Sequence, residues 1–181
     1  AECSFLPGAE GPSYGMQEIA GKIYAGHHTG LFLLENGQAK RVASTDGLWQ
    51  IKALKSAPAY AIGGSYSGLY LFKVDPAQRL QLVQKISGFD ASSRFFEEDA
   101  VGDIWVGQYY KGLYKISLSS DLTQAEVEQV SGGADLPIKE QIILSNIDDD
   151  LYLATNVGLY QLDPRNGHQI LEAALFVEDI G

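Results

Sequence analysis

One phrase occurs four times in the chain and limits the fold more than any other feature. In its fullest form it reads Ile104-Trp105-Val106-Gly107, a short polar gap, then Gly112-Leu113-Tyr114. Ile23-Tyr24-Ala25-Gly26 leads in the same way to Gly30-Leu31-Phe32, Tyr60-Ala61-Ile62-Gly63 to Gly68-Leu69-Tyr70, and Leu151-Tyr152-Leu153-Ala154 to Gly158-Leu159-Tyr160. The Gly-Leu pairs begin at 30, 68, 112 and 158, so the spacings are 38, 44 and 46 residues. Self-similarity at that period marks a solenoid, a propeller or a comparable array. Each copy holds four short strand-like runs parted by turn residues such as Asn36-Gly37 and Asp75-Pro76, and Asn-Gly is a strong hairpin signal. The second run of each copy is almost wholly apolar, as in strands covered on both faces. Sheets of that kind must stack. The fold class is therefore all-β: β-propeller blades of four antiparallel strands, about four blades, spanning 13–43, 47–86, 92–130 and 140–174 of one partial propeller domain.

Gly26, Gly63 and Gly107, with Ala154 in the fourth copy, end the second strand where its backbone runs close to the next sheet. Tyr24, Trp105 and Tyr152 set a large ring between sheets, and Ala61 breaks that rule. Residues 175–181 echo 95–102. Residues 1–12 and 175–181 thus read as parts of neighbouring blades, and the chain as a piece of a larger propeller.

Composition narrows the function classes. The net charge is -10 across 181 residues, which disfavours nucleic acid and anionic membrane surfaces as partners. Cys3 is the only cysteine, so no intramolecular disulfide is available. No apolar run reaches the roughly 18 residues of a spanning helix. There is no Gly-x-Ser-x-Gly elbow and no phosphate loop, so the chain reads as non-catalytic and without a cofactor. No metal is expected either: His27 and His28 are adjacent, and neighbours on extended backbone point opposite ways. Asp148-Asp149-Asp150 lacks the spacing of a calcium loop and reads as a solvated turn.

Glu97-Glu98-Asp99, followed by Gly102-Asp103-Ile104-Trp105-Val106-Gly107 and Gly112-Leu113-Tyr114, resembles the two-component regulator propeller repeat: an acidic pair, Gly-Asn-Leu-Trp-Ile-Gly-Thr, then Gly-Gly-Leu-Tyr. The likeness runs through all four copies and is fullest in the third. Ser56-Ala57-Pro58 replaces the acidic turn in the second. The resemblance implies a sensor propeller of a bacterial two-component or membrane-linked regulator. It implies a periplasmic location, further blades and downstream signalling domains in the parent chain, and a membrane-anchored dimer. It also implies an oligosaccharide or another small extracellular ligand.

In a propeller the first strand of each blade lines the channel, and the loops joining strands two and three share the face that usually binds. Those loops supply His27, His28, Tyr66, Tyr109, Tyr110 and Asn156, and Trp49 and Arg94 join them near the channel. Flat rings with hydrogen-bonding tips suit sugars or peptides. Three readings stay open: a sensor surface built from these residues, an interaction propeller whose tyrosines only cover blade edges, and a propeller lyase or glycosidase.

Overall fold

The computed structural model describes residues 5–109, 111–130, 142–156, 158–163 and 169–172. The chain is all-β, and its strands form four four-stranded antiparallel sheets, the blades of a β-propeller. Blade 1 is β1 (Ser13–Ile19), β2 (Lys22–His27), β3 (Gly30–Glu35) and β4 (Gln38–Ser44). Blade 2 is β5 (Leu48–Ala53), β6 (Tyr60–Ser65), β7 (Gly68–Val74) and β8 (Leu80–Lys85). Blade 3 is β9 (Phe95–Glu98), β10 (Ile104–Gln108), β11 (Gly112–Leu118) and β12 (Ala125–Val130). Blade 4 is β13 (Ile143–Ile147), β14 (Asp150–Ala154), β15 (Leu159–Asp163) and β16 (Gln169–Glu172). In each sheet the strands lie in chain order. The expected segment 175–181 lies outside the described residues. No helix among the described residues is long and apolar enough to cross a membrane.

The chain divides into two compact units, Ala1–Arg94 with Ser119–Ala125, and Phe95–Leu118 with Glu126–Gly181. In the first, Ile19, Tyr24, Leu31 and Leu33 of blade 1 pack on Leu48, Ile51, Ala61, Phe72 and Leu80 of blade 2. In the second, Trp105, Leu113 and Val130 of blade 3 pack on Ile142, Leu144, Leu151 and Leu153 of blade 4. Within each unit, then, one greasy sheet face covers another, as the apolar second strands require.

Tyr24 shows how a ring joins blades. It is wholly buried, and its hydroxyl accepts the Leu80 N–H at 2.9 Å. Burial first, then nearby Asp75 and Glu35, pushes the phenol above its usual pKa, against the Leu80 N–H and Arg79. Tyr24→Phe keeps the packing but strands that amide, so we expect a loss of about 1–3 kcal/mol, read from the urea midpoint. An unchanged midpoint would show that the amide finds another partner.

Blade 2 departs from the sequence reading by one residue. Gly26 pairs with Leu31, Gly107 with Leu113 and Ala154 with Leu159. The residue paired with Leu69 is Gly64, not Gly63. The ring position of blade 2 is therefore held by Ile62, which faces Leu71 as Tyr24 faces Leu33. The cause is loop length: Ser65 pairs with Gly68, so β6 runs two residues further than expected and the loop shrinks to Tyr66 and Ser67.

Residues 5–12 run along blade 1. The Ala39 N–H donates to the Pro7 carbonyl at 2.8 Å. Ser87 and Gly88 lie beside 123–125 in the same way, with Ala125 N–H donating to Ser87 O at 2.8 Å.

Candidate functional site

Two strands of the first unit break their ladders at corresponding places. The register of β1 against β2 skips between Ser13 and Met16, and that of β5 against β6 skips between Leu48 and Gln50. Such bulges re-aim side chains, and here they release Tyr14 and Trp49 from the regular pleat. Arg94 holds the equivalent position in the third copy. It precedes Phe95, which pairs with Gly107, just as Trp49 precedes Gln50, which pairs with Gly64. One position of the repeat thus supplies Tyr14, Trp49 and Arg94.

These side chains meet. The Tyr14 and Trp49 rings lie 4.6 Å apart, and Trp49 and Tyr66 4.7 Å. The Arg94 guanidinium sits 5.1 Å from the Trp49 ring centre, a cation–π distance. The indole N–H donates to Ser92 Oγ at 3.1 Å, and the Gln50 amide donates to the Arg94 carbonyl at 2.9 Å. The Tyr14 and Tyr66 hydroxyls share a short hydrogen bond. That bond, ahead of burial and the charge of Asp46, pushes the Tyr66 phenol to about 12, so it stays neutral across physiological pH. Gly47, at φ +107°, lets the Tyr66 ring lie flat on the chain: a Cβ there would meet the ring at 2.4 Å. Tyr66 remains 36% exposed, and Trp49 and Tyr14 are half-buried.

The result is a fixed aromatic face with a cation stacked on it and neutral hydroxyls at its edge. It can stack on the apolar face of a flat ligand and exchange hydrogen bonds with its rim. Around it, Tyr70 donates to Asp46 at 3.3 Å, and Lys85 bridges Asp90 at 2.6 Å. Among the described residues no group of His, Cys, Asp or Glu is arranged to hold a metal ion.

The expected residues divide accordingly. Trp49, Tyr66 and Arg94 come together. The His27 and His28 rings meet at 4.2 Å, tilted by 46°, but His27 is buried against residues 5–12, where its Nε2 meets the Glu10 carbonyl at 3.2 Å. Tyr109 and Asn156 belong to the second unit and are exposed there. Tyr110 lies outside the described residues. Sequence reasoning missed Tyr14, Gln50 and Ser92. The signal for Tyr14 was its place: it lies at the start of the first strand of its copy, where Arg94 stands just before that of the third. No family model and no curated protein matches the chain.

Proposed function

We propose that this chain is a non-catalytic recognition propeller whose aromatic face binds an oligosaccharide. The single observation carrying this reading is the convergence of Tyr14, Trp49, Tyr66 and Arg94 from separate strands and loops. A structural core has no need of a guanidinium stacked on a half-exposed indole. Pyranose rings offer one apolar face and a hydroxyl rim, which suits rings flanked by fixed donors. The likeness of the acidic turn, Trp105-Val106-Gly107 and the Gly-Leu-Tyr pattern to two-component regulator propellers supports a further step. In that step the chain is the sensor region of a bacterial regulator, outside the inner membrane, and ligand binding is passed to signalling domains of the parent protein.

The test is titration of the whole chain with a panel of neutral and acidic oligosaccharides by calorimetry. One of them is expected to bind, and Trp49→Ala to lower its affinity at least tenfold, about 1.4 kcal/mol. Tyr109→Ala, in the other unit, should leave it unchanged. Equal affinity in the wild type and Trp49→Ala, or no binding across the panel, would remove the aromatic face from the reading. Turnover of the bound sugar would replace recognition by catalysis.

A further inference from the structure

A blade has two sheet faces, and each unit shows which face meets which. In the first unit, Tyr24, Leu31 and Leu33 of blade 1 face forward onto Ile51, Ala61 and Phe72 on the back of blade 2. In the second, Trp105 and Leu113 of blade 3 face forward onto Leu144, Leu151 and Leu162 on the back of blade 4. The order is the same in both: a forward face takes the back face of the following blade.

Cross-strand pairs identify the equivalent positions on the backs. Met16 faces Ala25, Ile51 faces Gly63, Phe96 faces Val106 and Leu144 faces Leu153. The neighbouring pair is Ile23 with Leu34 in blade 1, Ala61 with Phe72 in blade 2, Ile104 with Ile116 in blade 3 and Leu151 with Leu162 in blade 4. Ile51, Phe96, Leu144 and both members of the second pair in blades 2, 3 and 4 are at most 5% exposed. In blade 1, Met16 is 69% exposed, Ile23 48%, and Leu34 is half-buried. Ala25 and Phe32 of the same face are buried, so what stays open is a stripe of three apolar side chains.

The forward faces show the converse. Ile62 and Trp105 stand where Tyr24 does, and Leu69 and Leu113 where Leu31 does; none of the six has exposed surface. Blade 4 has Tyr152 and Leu159 at these positions, and both are half-buried. Ile147, opposite Asp150 as Ile19 is opposite Lys22, is 56% exposed against 5% for Ile19. Among the described residues, blade 1 thus has the open back face and blade 4 the open forward face.

We propose that a second copy of this chain fills them: the forward face of blade 4 in one copy covers the back of blade 1 in another. The occupant follows from the order of faces. Each unit covers a back face with a forward face, and the open forward face on hand is the chain's own. Single exposed apolar residues need no partner, but these are the positions that the other blades bury. Two different patches meet, so the contact is heterologous and runs head to tail.

Sedimentation velocity of the whole chain over a range of concentrations tests this. The wild type should associate reversibly. Ile23→Asp and Ile147→Asp place a charge on the back of blade 1 and the front of blade 4, at sites exposed enough for each variant to fold. Each alone should associate roughly tenfold more weakly or worse, because a carboxylate buried without a partner opposes the contact. Mixed, the two should recover a one-to-one complex, since each supplies the face that the other has lost. Val101→Asp, at a residue 68% exposed in the β9–β10 turn, should associate as the wild type does. A wild type that stays monomeric would leave both faces to other sheets and overturn the contact between copies. Full association in either single variant would put like face on like face and overturn the order. A mixture that stays monomeric although both variants are folded by circular dichroism, or loss of association in Val101→Asp, would overturn it as well.

Discussion

Trp105→Ala is expected to cost the second unit about 4 kcal/mol, the upper range for emptying a buried aromatic site. Trp105 has no exposed surface and packs with Leu144, Leu151 and Leu153 of blade 4. Its indole N–H also donates to Asp99 Oδ2 at 2.8 Å. Asp99 is itself buried, and its other oxygen accepts the Val101 and Asp103 amides, each at 2.9 Å. One carboxylate thus closes the β9–β10 turn and holds the ring that enters the core. Removing the indole leaves a cavity and an underbonded buried charge together, and both terms run the same way. Against a typical domain stability of about 5–15 kcal/mol, such a loss should move the urea midpoint far enough to populate unfolded blades 3 and 4. Trp105→Phe separates the terms: it keeps most of the volume and strands only the carboxylate oxygen, so it should cost less, about 2 kcal/mol. Equal losses in the two variants would mean that Asp99, rather than packing, sets the stability. A loss below about 1 kcal/mol in Trp105→Ala would mean that blades 3 and 4 do not depend on the ring.

The acidic turn of the third copy is therefore structural; the sequence showed only the motif, and the bond between Asp99 and Trp105, six residues apart, emerges from the fold. Strand order was legible in the sequence. Each Gly-Leu restarts a strand, and the apolar runs before it can be satisfied only between two sheets. Blade 2 was misread because Gly63 and Gly64 are adjacent and chemically identical. Only the cross-strand partner, Leu69, tells them apart, and a partner strand is not written in local sequence. The candidate site divides the same way. Trp49, Tyr66 and Arg94 follow from strand and loop position alone. The bulges that turn Tyr14 and Trp49 toward one another depend on sheet register. The burial of His27 depends on Glu10, 17 residues away, in a segment without strand periodicity. Loop position made His27 look available; a long-range backbone carbonyl makes it a closed internal bond.

Gly26→Ala is expected to part blades 1 and 2 at a cost of about 3 kcal/mol, the high end for overpacking. A Cβ at Gly26 would lie 2.5 Å from the Leu48 carbonyl oxygen and 2.9 Å from that of Trp49. Both are backbone atoms of β5, and a sheet edge cannot swing aside as a side chain can. The strands would have to separate across the Tyr24–Leu31 and Leu48–Ile51 packing, which thins dispersion contacts throughout that core. Gly37→Ala is the reference. It sits at φ +71° with nothing within 4 Å, so it measures left-handed strain alone, about 1 kcal/mol. The fourth copy supplies a natural comparison: Ala154 pairs with Leu159 as Gly26 pairs with Leu31, and it is exposed. The alanine stands where no sheet among the described residues leans on it, so close approach rather than strand conformation demands glycine at position 26. Because the obstructing atoms belong to Leu48 and Trp49, the same substitution should also displace the Trp49 ring and weaken oligosaccharide binding in step with stability. Gly26→Ala with a midpoint no lower than that of Gly37→Ala would mean that β2 and β5 are not in backbone contact, and the register that places Trp49 beside Tyr14 would fall with it.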